Sequence, residues 1–146
     1  MKIYTIGFTQ KSAKDFFELL QSHRVHTLVD IRLNPGGQLA GFSKQGDLPY
    51  FLTKLADNCQ YVHELRLAPT KEILVNYRTD GDWARYVRRF EALMDERHIP
   101  GAIDRSMFEH HDCCLLCSEP TPEQCHRRLV AERMARAWPN VTVIHL

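Results

Sequence analysis

Apolar residues in this chain recur alternately with a strand-like and a helix-like spacing, and this alternation limits the possible folds more than any other feature. Short runs rich in β-branched residues are typical of strands; they read KIYTIG, HTLVDIR, QYVHELR, CCLLCSE and VTVIHL. Between them lie segments with helical spacing, which read SAKDFFELLQSHR, DLPYFLTKLADNC, DWARYVRRFEALMDER and TPEQCHRRLVAERMARAW. Such alternation predicts an α/β fold, with a mostly parallel sheet of about five strands and helices on both faces.

The length and the fourth strand-like run support this interpretation. A chain of 146 residues is typical of one domain, so we expect residues 1–146 to form a single α/β domain. The run CCLLC is apolar at every position, whereas a strand with one face in water would alternate. Uninterrupted apolar character is typical of a parallel strand covered by helices on both sides.

Residues near the helix starts predict where the helices begin. Ser12 is a suitable N-cap for the first helix, and Asp47 for the second, which has Pro49 in its first turn. For the last helix, Thr121 is a good cap, Pro122 suits the first helical position and Gln124 completes a capping-box pattern. That register places Cys125 and His126 in or just after the first turn. Free N–H groups and the positive end of the helix dipole there would stabilise a thiolate and attract phosphate.

Composition restricts the partners that this chain could have. The 19 Lys and Arg residues nearly balance 18 Asp and Glu residues, so a basic site must be a local patch. Nucleic acid is a possible partner that net charge does not indicate, as is an anionic small molecule or nucleotide. Five cysteines, three of them close together, do not resemble a disulfide framework, and no apolar stretch is long enough for a membrane span. We expect a cytoplasmic protein that does not contact membranes; its oligomeric state stays open.

Polar side chains follow several of the predicted strands. Those at the ends of the first, second and fourth strands are Gly7, Thr9, Asp30, Arg32, Cys117 and Glu119. Because the carboxyl ends of parallel strands meet at one edge, where open α/β sheets bind ligands, we expect these residues to lie near each other. Two long connections, 34–46 and 67–82, leave the same edge, and the first is rich in glycine. Long connections of this kind are often functional.

Each candidate also has a structural interpretation. Cys113 and Cys114 fit the core, since buried cysteines behave as small apolar residues. Cys117 fits the core or a site equally well. Asp30 and Arg32 flank Ile31 and share one face of the strand, so they could simply pair. Asp30 could otherwise anchor a helix end or serve as a site carboxylate, because a charged group inside an apolar strand needs a partner. Arg127 could belong to a solvated helix face.

A zinc site is a further possibility. Cys114 and Cys117 have C-x-x-C spacing, and Cys125 with His126 would complete a set of four ligands. Residues three apart on a strand point to opposite faces, however, so Cys114 and Cys117 would not converge. We therefore expect neither a metal nor another cofactor. The glycine patterns of dinucleotide-binding folds and P-loops are also absent.

Taken together, the motifs resemble those of the domain-of-unknown-function 488 family. The matching segments span the chain in order and read YTIGFT, TLVDIR followed by NP, YVHEL and LLCSEPTPEQCHRRLVAE. The last of these is the most specific. Two positions depart from the family pattern: Phe8 stands where many members have His or Tyr, and Gly37 where a serine commonly follows the proline.

The resemblance implies a compact α/β domain without an established activity. The family's shared polar positions correspond to Asp30, Arg32, Cys117, Glu119, Cys125, His126 and Arg127. The resemblance supports one common site, but it supplies no reaction.

Three functional hypotheses follow. In the first, the protein is an enzyme, a cysteine-dependent hydrolase or transferase. Cys125 is then the nucleophile or redox-active thiol, His126 the general acid or base, and Asp30 a further catalytic group. A phosphate-bearing small molecule, nucleotide or nucleic-acid end would be bound by Arg32, Arg127, Cys117, Glu119, Gly7 and Thr9.

The second hypothesis is a non-catalytic module that binds phosphate, a nucleotide or nucleic acid through the same groups. The third is purely structural: Arg127 pairs with Asp30 or Glu119 and fixes the last helix to the sheet.

Overall fold

A computed structural model describes residues 1–37 and 41–146 and contains one sheet of five parallel strands. The strands are β1 (Lys2–Gly7), β2 (Thr27–Asp30), β3 (Gln60–His63), β4 (Cys113–Cys117) and β5 (Thr142–His145). Their order across the sheet is β3-β2-β4-β1-β5, and every neighbouring pair is parallel. The α/β fold predicted from the sequence is confirmed.

Within the described ranges, six α-helices accompany the strands. They are α1 (Ala13–Ser22), α2 (Leu48–Leu55), α3 (Lys71–Asp80), α4 (Trp83–Glu96), α5 (Arg105–His110) and α6 (His126–Ala137). Short 3-10 helices cover Gly41–Ser43 and Leu65–Leu67. Within the described residues, no helix combines the length and the hydropathy needed to cross a bilayer.

The helices cover both faces of the sheet, as predicted. On one face Leu28 and Leu116 pack in a core with Phe16 of α1 and Leu52 of α2. A second core, on the other face, is formed by α3 to α6 against the opposite side chains of β2 and β4; its fully buried members include Val29, Phe90, Leu115, Val130 and Met134. Successive residues of β4 enter alternate cores, which explains why the run CCLLC is apolar throughout.

The predicted start of the last helix is wrong. Helix α6 begins at His126, and Cys125 is its N-cap, in an extended conformation and without a side-chain capping bond. Thr121, Pro122 and Gln124 belong to the turn before it, where the Cys125 N–H donates to the Pro122 carbonyl at 3.2 Å. A proline early in such a segment suits a turn as well as a first helical position. The later start leaves Cys125 outside the helix.

The connection from 67 to 82 is not an irregular loop. It contains α3, which begins after the cap Thr70 and ends at Gly81 in the left-handed conformation. None of its residues is buried, so its sequence lacks the strong apolar stripe that identifies a helix. Helix α5, capped by Asp104, was also missed because it has only six residues.

Two smaller predictions also need correction. Strand β3 ends at His63, and Glu64 then caps the short 3-10 helix by accepting the Arg66 N–H. The side chain of Asp47 makes no capping bond to α2. In both places local backbone geometry decided where the element begins or ends.

The strand order creates a crevice between the ends of β2 and β4. The chain leaves β2 toward α2 on one face and leaves β4 toward α6 on the other. Neighbouring strands whose connections depart to opposite faces leave a gap at their carboxyl ends, where α/β proteins bind ligands. Cys117 at the end of β4 and Arg32 just beyond β2 therefore flank this gap.

A close backbone approach across the ends of β1 and β4 predicts the effect of one substitution. A Cβ at Gly7 would lie 1.7 Å from the Glu119 carbonyl oxygen, so Gly7→Ala must displace the turn after β4. We expect it to lower the free energy of unfolding by about 1–3 kcal/mol or more, as measured in urea.

The matched control is Gly36→Ala, because a Cβ there meets no described residue within 4 Å. Its effect should stay within about 0.5 kcal/mol. Equal stability of the two variants would contradict this account of Gly7.

Candidate functional site

A cavity opens at the carboxyl ends of β2 and β4. Its volume is about 130 Å³, and it is walled by α3, the start of α4 and the turn that precedes α6. The side chains at its floor include Cys117, Cys125 and His126, each no more than 6% exposed. A space of this size admits part of a small molecule and brings it against the three buried groups.

The three floor residues form a compact cluster. The Cys117 Sγ lies 3.4 Å from the His126 Nδ1. One ligand atom from each of Cys117, Cys125 and His126 lies within 4.8 Å of the other two, close enough for all three to coordinate one metal ion. Cys117 comes from the end of β4, whereas Cys125 and His126 come from the cap and first residue of α6.

The Ile31 carbonyl, just beyond β2, fixes the tautomer of the neutral His126 ring. The Nε2 atom lies 2.8 Å from the Ile31 carbonyl oxygen. Because a carbonyl can only accept a hydrogen bond, Nε2 carries a proton and donates it. In the neutral ring Nδ1 is then unprotonated and faces the Cys117 thiol, ready to accept a proton or bind a cation.

The two thiols of the cluster have opposite pKa shifts. A hydrogen bond from Cys125 lowers the pKa of Cys117 below its ordinary value, against the effect of burial, and the Ser118 and Glu119 N–H groups and the Arg127 charge add to this. The same hydrogen bond, together with burial, raises the pKa of Cys125. These directions favour ionisation of Cys117 over Cys125, whereas the sequence hypothesis named Cys125 as the reactive thiol.

Arg127 contacts the cluster through the Cys125 Sγ and does not line the cavity. Its side chain is fully buried, and Nη1 donates to the Glu119 carbonyl at 2.6 Å and to the Cys125 Sγ at 3.4 Å. Within the described part of the chain Arg127 forms no salt bridge, and its Nε and Nη2 have no hydrogen-bond partner. Of the two pairings that the structural hypothesis names, the one with Glu119 is present through its main-chain carbonyl, whereas no ion pair with Asp30 is found among the described residues.

Asp30 belongs to a buried network beside the cavity. Its carboxylate accepts bonds from Nε and Nη2 of Arg32, at 2.8 and 2.6 Å, and from the Tyr61 hydroxyl at 2.6 Å. Arg32 Nη2 also donates to the Ser43 carbonyl. Asp30 is fully buried and does not line the cavity, so this geometry gives it the task of holding Arg32 in place.

Arg32 itself does line the cavity. Although Nε and Nη2 are bonded, its buried Nη1 has no hydrogen-bond partner among the described residues. The Phe8 ring lies 5.3 Å from the Arg32 Cζ, a distance typical of a cation–π contact. A buried guanidinium nitrogen without an acceptor favours an anion nearby.

Aromatic and basic side chains form the outer wall of the cavity. Trp83 stacks on Tyr86, with ring centroids 5.0 Å apart, and Tyr77 packs against both. The Tyr77 hydroxyl donates to Gln124 at 3.0 Å and so joins α3 to the turn before α6. Arg78, on the same helix, is exposed and lines the cavity.

The structure brings five of the nine predicted site residues to the cavity: Arg32, Cys117, Glu119, Cys125 and His126. It places the other four elsewhere. Asp30 and Arg127 are buried beside the cavity, and Thr9 is exposed away from it. Gly7 gives room to the Glu119 main chain rather than to a ligand. Of the glycine-rich connection 34–46, Asn34 lines the cavity, and residues 38–40 lie outside the described residues.

The outer wall was missed in the sequence because α3 was taken for a loop. Leu74, Tyr77 and Arg78 reach the cavity only because this segment is helical. Two residues in the sequence could have indicated this helix: Thr70, a good N-cap, and Gly81, a residue typical of a helix C-terminus.

Comparison with known proteins identifies the family. The family model described as domain of unknown function DUF488 matches residues 12–134, which is most of the chain. The chain belongs to the DUF488 family. No curated protein and no solved structure matches this DUF488 chain.

The match covers the whole cluster of the DUF488 chain and both helical walls of its cavity. Strand β1 precedes the matched range and β5 follows it, so Gly7, Phe8 and Thr9 lie outside. The family resemblance inferred from the motifs is thereby confirmed. The match names no reaction, and the site must be interpreted from its geometry.

Substitution of Asp30 tests whether this residue is structural. Asp30→Asn removes the counter-charge of the buried Arg32. Breaking one side of a buried ion pair costs about 3–5 kcal/mol, so we expect a loss of that size in the free energy of unfolding. The control is Glu18→Gln, which breaks an exposed pair with Lys14 and should change stability by less than about 1 kcal/mol. An unchanged stability of Asp30→Asn would contradict the structural role.

Alkylation tests whether the pKa of Cys117 is lowered and whether Cys125 lowers it. In chelator-treated protein we expect iodoacetamide to modify Cys117 at a lower pH than Cys59, whose pKa burial raises to about 12. Cys125→Ala should move the Cys117 reaction to higher pH, because it removes the strongest influence that lowers this pKa.

Cys114→Ala, which removes a thiol of the opposite core, is the control and should leave the Cys117 profile in place. The pH profile is read by mass spectrometry of the modified peptides. A Cys117 profile that ignores Cys125→Ala would contradict the assigned hydrogen bond.

Proposed function

We propose that this protein is an enzyme that binds a phosphate-bearing small molecule or nucleotide in the cavity and acts on it at the Cys117–Cys125–His126 cluster. The proposal is carried by the proximity of three reactive side chains to Arg32, whose Nη1 has no hydrogen-bond partner among the residues that the structure describes. Sites of this kind, with convergent polar groups and a shifted pKa in a cleft, are the usual candidates for active sites.

The charges around the cavity support an anionic substrate. Arg32 presents a guanidinium held rigid by Asp30, and Arg78 adds a second positive group at the rim. Planar guanidinium groups bind phosphate with charge-assisted hydrogen bonds. Glu119 is the acidic residue among those that line the cavity, so the positive groups outnumber the negative one.

The outer wall supports a substrate with a ring. Tyr77 and Trp83 are half-buried, so part of each ring faces the cavity region. Aromatic faces of this type stack on nucleobases, and stacking tolerates different bases. A phosphate at Arg32 or Arg78 with a base against Trp83 is the arrangement that these contacts favour.

The cluster distinguishes an enzyme from a module that only binds. Phosphate binding needs the arginines but has no use for two thiols and an imidazole at the floor. Those groups can attack an electrophilic centre or prepare a water molecule to do so, which leads to hydrolysis or group transfer. Cys117→Ser should therefore retain binding of the substrate and abolish its turnover.

Calorimetric titration with inorganic phosphate and a panel of nucleotides tests the binding step. Arg78→Gln should weaken binding about five- to tenfold, because it removes one partly exposed hydrogen-bonded charge. The matched control is Arg88→Gln, an exposed arginine of α4 that does not line the cavity.

Turnover of the same panel is followed by chromatography of the products. Failure of every phosphate compound to bind, or equal weakening by Arg78→Gln and Arg88→Gln, would contradict the proposed ligand. Binding without turnover of any compound would reduce the proposal to the non-catalytic module.

A further inference from the structure

We infer that Cys117, Cys125 and His126 form a three-ligand site for a divalent metal ion of zinc type, with the fourth coordination position open to the cavity. The inference deepens the proposed function by naming the cofactor of the reacting centre. Only the catalytic role of the metal rests on the proposed function, because metal binding itself is measured without substrate.

The spacing of the cluster fits tetrahedral zinc. Bonds of about 2.3 Å to sulfur and about 2.0–2.1 Å to nitrogen place neighbouring sulfur and nitrogen ligands about 3.5 Å apart. The Cys117 Sγ and the His126 Nδ1 are separated by 3.4 Å. The Cys125 Sγ lies within 4.8 Å of the Cys117 Sγ and of a ring nitrogen of His126, so all three residues can reach one ion.

The second nitrogen of His126 is held as in metal sites. A coordinating histidine usually donates its other N–H to a carbonyl or carboxylate, which fixes the tautomer and aims the free nitrogen at the metal. The His126 Nε2 makes this bond to the Ile31 carbonyl at 2.8 Å. The Ile31 carbonyl, just beyond β2, therefore orients Nδ1 for coordination before any metal binds.

The electrostatic surroundings favour metal-bound thiolates. Arg127 Nη1 donates to the Cys125 Sγ at 3.4 Å. N–H donors to sulfur stabilise the ionised form that a metal requires. A zinc ion would balance two thiolates and leave the Arg127 charge uncompensated, which favours an anionic fourth ligand such as hydroxide or a phosphate oxygen.

The ligand set also indicates a catalytic site. Structural zinc is enclosed by four protein ligands, whereas catalytic zinc has three and keeps one position for water or substrate. All three residues here line the cavity. Metal-bound water ionises near neutral pH, so the site would hold a hydroxide beside whatever the cavity binds.

The set differs from the one considered in the sequence. Cys114 points into the opposite core, as strand alternation requires, and is not part of the cluster. As expected from the sequence, Cys114 and Cys117 do not converge on one site despite their C-x-x-C spacing. Cys117 reaches its partners because the extended Cys125 and the first residue of α6 return to the end of β4.

Competition with a chromophoric zinc chelator tests the site on the full chain. We expect chelator-treated protein to take up one zinc ion, and cobalt to give sulfur charge-transfer absorption with the intense visible bands of tetrahedral geometry. Cys117→Ser and Cys125→Ser should each weaken zinc binding by more than about 100-fold. Removing a ligand must reduce the metal affinity more than removing an outer-shell hydrogen-bond partner does. Cys59→Ser, which removes a buried thiol elsewhere, is the matched control.

A second readout keeps the test valid if a cluster variant does not fold. In the wild-type protein, zinc should protect both Cys117 and Cys125 from alkylation. His126→Gln, whose amide can still donate to Ile31, should also lose the cobalt spectrum.

Two results would overturn the inference. One is zinc binding to the wild type no tighter than to Cys117→Ser. The other is a cobalt spectrum without sulfur bands, as expected for surface histidines such as the stacked pair His26 and His111. If Arg78-dependent phosphate binding persists in chelator-treated protein that takes up no zinc, the proposed function stands and only the metal site is lost.

Discussion

The hydrogen bond from the His126 ring to the Ile31 carbonyl is the interaction on which the site depends. It joins the first residue of α6 to the main chain just beyond β2, 95 residues earlier in the chain. The bond settles which ring nitrogen carries the proton, and it leaves the other nitrogen against the Cys117 thiol. The sheet thus positions the chemistry through its backbone, which side-chain substitutions cannot readily disturb.

A second buried network determines what the cavity can bind. Asp30 satisfies two donors of Arg32 and one of Tyr61, so a guanidinium stays charged and immobile at the cavity wall. A buried pair of this kind contributes little stability compared with an apolar core, but breaking it is costly. The network holds Arg32 as a rigid cation next to the cluster, and its Nη1 has no partner among the described residues. Charge and reactive groups therefore meet in the crevice that the strand order creates.

The sequence predicted the sheet, its helices on both faces and the residues at its carboxyl edge because apolar periodicity and strand ends follow from local spacing. It did not reveal the start of α6, since a proline followed by polar residues suits a turn as well as a helix. It missed α3, whose residues are not buried and whose pattern is weak. It indicated that Asp30 and Arg32 share one face and could pair, as the structure shows. It could not tell that Tyr61 joins this pair or that Cys117 meets Cys125, because those contacts depend on tertiary packing.

The central claim is that two sulfurs and one imidazole nitrogen surround a metal ion at the cavity floor. X-ray absorption at the zinc edge of the zinc-loaded wild-type chain measures this directly. The account predicts two sulfur atoms at about 2.3 Å and two lighter atoms at about 2.0–2.1 Å, one from His126 and one from solvent. A shell of nitrogen and oxygen atoms alone would contradict it.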